Sequence, residues 1–97
     1  MTDKDRADQL EMARQRLHVL EAAVSAVDRR DEVSAVISAA ADSAAATEAL
    51  AALLGTDNAG ARAVLGLHWS AFTRARAQYA REDLEEVRRA IAELEQP

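Results

Sequence analysis

The side chains with chemistry to offer are few. There are two histidines, His18 and His68, one tyrosine, Tyr79, and a set of carboxylates at Glu82, Asp83, Glu85 and Glu86. A zinc or di-iron site needs several ligands converging. The histidines stand fifty positions apart, and neither has a second histidine at i+4 or clustered carboxylates beside it. Both are expected to be surface or interface residues. Tyr79 lies beside the apolar seam of a helix, which suits a packing residue with a wet hydroxyl. The carboxylates alternate with Arg81, Arg88 and Arg89, as on a solvated helix carrying i,i+4 pairs. With no cysteine there is no disulfide and no thiolate, whether as metal ligand or as nucleophile. Gly55, Gly60 and Gly66 are scattered and lack the following Lys of a phosphate loop. No catalytic constellation emerges, so neither an enzyme nor a cofactor or metal site is expected.

Two features remain. The first is charge: no acidic residue falls between Ala59 and Arg81, a stretch bearing Arg62, Arg74 and Arg76, on a chain whose net charge is −5. That overall charge argues against general binding to a phosphate backbone. Arg62, Arg74 and Arg76 are the candidate nucleic-acid contacts, read more simply as solvated arginines. The second is Trp69 with Phe72, three apart, at a break in the helical pattern. They either form an internal core or anchor a partner.

The elements that hold these residues are all helical. In a chain of 97 residues Ala abounds, with three Gly and one Pro, which makes this one small all-α domain. A core of that size is modest, so oligomerisation is a natural supplement. The first helix opens near Thr2 or Asp3 and carries Leu10, Ala13, Leu17, Leu20, Val24 and Val27 in alternating steps of three and four, a narrow seam of the coiled-coil type. Asp28-Arg29-Arg30-Asp31 interrupts it. Three short helices are expected next. Asp31 caps the first, about 32–41, with Val33, Val36 and Ile37 on one face; Asp42 or Ser43 caps the second, which ends at Gly55; Asp57 caps the third. A last helix runs from Thr73 to about Glu95 with its seam at Ala77, Ala80, Leu84, Val87, Ile91 and Leu94. The two seams match in length and rhythm. Laid antiparallel they pair Leu10 with Leu94 and Val27 with Ala77. The expected architecture is an antiparallel two-helix coiled-coil stalk (3–28 and 74–95) with a head of about three short helices (29–73) at its far end.

No apolar run approaches the length of a membrane span, and the charged N-terminus lacks the apolar core of a signal peptide. A cytoplasmic location is expected, and eleven Arg against one Lys suits a GC-rich bacterium.

The segment Arg16 to Ile37, RLHVLEAAVSAVDRRDEVSAVI, resembles the A subunit of DNA gyrase and its relative topoisomerase IV. That family carries an RLHILEGLxxALxxIDEVIxxIR pattern where a long coiled-coil helix enters a small helical head. Glu48, Leu50 and Gly55 fall where the family has its E-x-L and a glycine before the next helix. Ala63-Val64-Leu65-Gly66-Leu67 stands at the family's AILDM or AILDL, and Thr73 at the Thr of RLTGLE. The stretch from Glu82 to Ala92 looks like the returning helix. The chain departs from the family at Gly66 (Asp there), His68 (Arg), Trp69 (Leu) and Arg74-Ala75-Arg76 (Gly-Leu-Glu). The last change removes the capping-box partner of Thr73.

The resemblance implies the stalk and knob that close the exit gate, where two such gyrase chains touch through their heads. It implies a non-catalytic dimerisation module, lacking the nucleophilic tyrosine, metal-binding and ATPase parts of a topoisomerase. The expected homodimer contact is Val64, Leu67, His68, Trp69 and Phe72. Alternatives are a regulator binding the gyrase A subunit through the same surface, or a small helical DNA-binding protein.

Overall fold

The computed structural model describes residues 2–96, and among them every regular element is helical. Helix α1 spans Asp3–Asp28, α2 Arg30–Ala39, α3 Ser43–Leu54 and α4 Asn58–Leu65. A short 3₁₀ helix, η1, covers Trp69–Phe72, and α5 spans Arg74–Glu95.

Local chemistry accounts for most of the boundaries. Thr2 opens α1 with a capping box: its hydroxyl accepts from the Asp5 N–H at 3.1 Å, while Asp5 accepts from the Thr2 N–H at 3.4 Å. Asp42 accepts from the Ala45 N–H at 2.8 Å to start α3, and Gly55, at φ 64°, ends it in the left-handed region. Asp57 accepts from the Gly60 N–H at 2.9 Å to start α4. The expectation for α2 needs correction. Asp31 is not its cap; the chain turns earlier, at Arg29, which has no side-chain capping bond. The corner is held instead by the Arg29 guanidinium. It grips Glu32 through two bonds, at 2.6 and 3.0 Å, and donates to the Leu53 carbonyl at 2.7 Å. That grip holds the Glu32 carboxyl below the usual range. It also satisfies a carbonyl at the end of α3 that has no partner within its own helix.

Helices α1 and α5 lie antiparallel. All twelve expected seam positions are buried or half-buried, from Leu10 to Val27 on α1 and from Ala77 to Leu94 on α5. Ion pairs flank the seam. Arg14 meets Glu95 at 3.1 Å, Glu21 meets Arg88 at 3.9 Å and Asp28 meets Arg81 at 2.7 Å. Successive pairs are seven residues apart on each helix, so the ladder repeats every two turns. Arg16 and Asp83 pair at 3.9 Å on the opposite edge.

The other core lies in the head. Leu50, fully buried, is surrounded by Val33, Ala61 and Val64, with Ala22 and Ala26 supplied by a second face of α1. Sequence periodicity showed α1 with one apolar seam; in the fold it has two buried faces. The second is legible only as alanines, whose small side chains allow α4 to pack closely. The contact is pinned at its lower end by His18, whose Nε2 lies 2.7 Å from Asp57 Oδ1. The short helices therefore pack along α1 itself, from His18 to Ala26. The molecule measures 48 × 28 × 18 Å, with a radius of gyration of 15.1 Å. A compact chain of this length has about 12.5 Å, so the described residues form an elongated body.

Candidate interaction surface

The surface is built where α4 gives way to α5. Helix α4 ends at Leu65, and Gly66 and Leu67 close its last turn by donating to Arg62 and Val64 carbonyls, each at 3.0 Å. His68 is extended, and the chain then makes one tight turn, η1. Thr73 leaves it extended and caps α5, accepting from the Arg76 N–H at 3.3 Å while its hydroxyl donates to the Ser70 carbonyl at 2.9 Å. Thr73 therefore caps without the glutamate that would complete a capping box.

A 3₁₀ turn repeats every three residues, so i and i+3 eclipse. Trp69 and Phe72 are three apart and stack on the same side, ring centroids 6.0 Å apart and tilted by 52°. Phe72 is half-buried, whereas Trp69 is 81% exposed. A ring that size left in water on so small a protein is unusual, because a tryptophan carries one of the largest apolar surfaces a side chain has.

Beside Trp69 lies a groove of about 450 Å³. One wall is α2, with Arg30, Asp31, Ser34 and Ile37; the other is η1 with Trp69 and Phe72. Val33 and Val64, each 3% exposed, form part of its floor.

This geometry sorts the expected contact residues. His68 and Trp69 are exposed, and Leu67 and Phe72 half-buried, all in one stretch. Val64 faces inward on α4 and packs in the core, so little of it reaches the surface. Sequence reasoning missed the α2 wall. Val33 and Ile37 were legible as one face at i and i+4, but nothing in their spacing says that the outer edge of that face borders Trp69.

Arg62, Arg74 and Arg76 are all exposed and, among the described residues, none makes an ion pair. Arg62 lies in the last turn of α4, where the helix dipole favours a cation. Arg81, the fourth of the series, is engaged by Asp28. Tyr79 is 62% exposed. No group of three or more metal-ligating side chains occurs among the described residues, and no helix among them is long and apolar enough to cross a membrane.

No family model matches the chain. Among curated proteins it is similar to the A subunit of DNA gyrase from Nocardioides sp., with 39% identity over 82 residues. Those residues are 84% of this chain but only 9% of the gyrase protein. Along most of its own length, then, the chain is similar to one short segment of that DNA gyrase A subunit.

Proposed function

We propose that the chain is a non-catalytic dimerisation module, related to the exit-gate segment of the gyrase A subunit, that forms a homodimer through its head. The observation that carries this reading is Trp69, 81% exposed beside an apolar groove, at the place in the chain where the resemblance puts the gate contact. Exposed aromatics in such settings are the usual anchors of protein interfaces. In this reading α1 and α5 form an antiparallel coiled-coil stalk. Their ion pairs support it: those at Arg14, Glu21 and Asp28 repeat at heptad spacing along one edge of the seam, while Arg16–Asp83 flanks the other. The stalk holds the head away from the chain ends, and the protein works in the cytoplasm.

Sedimentation or light scattering at tens of micromolar checks the reading. A dimer is expected. Trp69→Ala should weaken it by about 2 kcal/mol or more, in the range of interface anchors. Because the ring is exposed, the melting temperature of the isolated protomer should hardly change. A monomer at these concentrations removes the proposal.

The 39% identity to a gyrase protein favours one further reading, in which the same surface also accepts the gyrase head and regulates the enzyme. The substitutions from Gly66 to Arg76 would then set partner preference, since specificity is a difference between competing affinities. A pull-down with the gyrase A subunit, and a supercoiling assay with added protein, decide it: no association and no effect dispose of the idea.

A further inference from the structure

The groove between α2 and η1 places two halves of a contact on one surface. Ile37 and Leu65 border an apolar hollow floored by Val33 and Val64, and Trp69 stands beside it, 81% exposed. A projecting ring and an apolar hollow on one surface are the two parts that an isologous contact needs, each copy supplying one to the other across a twofold axis, the symmetry of most homodimers. Charge at the groove has the same character. Arg30 and Asp31 both line it, adjacent in the chain and opposite in sign, and both are exposed. Among the described residues neither makes an ion pair, although Arg29 and Asp28 on the same corner both do. Arg30 moreover occupies the first turn of α2, where the helix dipole disfavours a cation. Its own helix gains nothing from it there.

We infer that the occupant of this groove is a second copy of the chain. Trp69 of each copy inserts between α2 and η1 of the other, and Arg30 of each meets Asp31 of the other. The inference rests on the dimerisation reading above and adds to it the acceptor site on α2, which the resemblance does not identify. A nucleic acid fits the groove poorly, because the hollow is apolar and Asp31 stands in its wall.

Trp69 is the only tryptophan, so its fluorescence reports its burial directly. Across a dilution series monitored in parallel by sedimentation, emission should shift to the blue and quenching by acrylamide should fall as dimer forms. Arg30→Asp or Asp31→Arg alone sets like charges face to face and should lower the association constant about tenfold or more. The combined swap, R30D with D31R, should restore it to within about threefold, the coupling expected of residues in direct contact. A dimer whose Trp69 stays accessible to quencher, or which ignores both single reversals, overturns the groove assignment and leaves the dimerisation reading standing. A chain that stays monomeric overturns both. A salt-dependent shift of duplex DNA by a monomer, lost in Trp69→Ala, overturns both and gives the surface to nucleic acid.

Discussion

At the scale of single residues, Asp57 joins two tasks. It caps α4 through the Gly60 N–H and meets His18 on α1. The Gly60 N–H, and after it the His18 side chain, hold its carboxyl below the ordinary carboxylate range. A carboxyl depressed in the folded state contributes stability that is present above its unfolded pKa. That contribution is lost as pH falls through the folded value. Asp57→Asn should therefore melt lower than the native chain at neutral pH, and the gap should close in acid. Parallel melting curves across the whole pH range would contradict this. Gly60 has its own constraint. A Cβ there would run into the Thr56 hydroxyl, with Thr56 Cβ and Cγ2 both only 3.2 Å away. Overpacking of this kind costs about 1–3 kcal/mol, against about 1 kcal/mol that Ala gains in helix propensity. Gly60→Ala should be neutral to destabilising, and adding Thr56→Ala should recover stability in thermal melts. The Thr56 hydroxyl is buried and has no partner among the described residues, so its removal leaves none of their groups unsatisfied. The Asp57 cap was legible in the sequence, since Asp before a helix needs no tertiary partner. The clash at Gly60 was not, because the turn that brings Thr56 over it is not visible in residue types.

Among the elements, α1 is the shared one. Its seam faces α5, while Ala22 and Ala26 face the head and are 4% and 0% exposed. An alanine in a helical pattern reads equally as surface or as close contact, which is why periodicity exposed the seam and hid the second face. Ala26→Leu forces a larger side chain into a closed space, at a cost of about 1–3 kcal/mol. The same change at exposed Ala7 should cost almost nothing. Denaturant unfolding of the two variants checks this, and equal stabilities would deny the second face. At the α1–α2 corner, the sequence marked the interruption at residues 28–31 correctly but misassigned the cap. The deciding contact, Arg29 to the Leu53 carbonyl, joins residues 24 apart in the chain.

Across the whole molecule, two cores share one helix but differ in depth. Leu50 sits in the head with no exposure, whereas Ile91 lies near the far end of the long pair, 9% exposed. Substituting either by Ala removes buried methyl groups, at about 2–5 kcal/mol where the site cannot collapse. Leu50→Ala should lie at the upper end and speed amide exchange throughout the head and α1. Ile91→Ala should fall lower and loosen chiefly the ends of α1 and α5, since helix ends open locally. Exchange that changes equally everywhere in both variants would refute two distinct cores. The all-helical class and the two seams, whose positions are buried or half-buried in the fold, were legible in residue types alone. A repeat of threes and fours marks a buried edge on each helix, because residues at that spacing share one face. Which residues became surface was decided only by tertiary structure. Trp69 and Phe72 are both large aromatic residues, and the sequence left core or partner anchor open for either. The 3₁₀ turn placed one ring half under cover and the other in water, and packing against α1 drew Val64 inward. Such outcomes depend on where distant helices come to rest, which no local pattern of residues encodes.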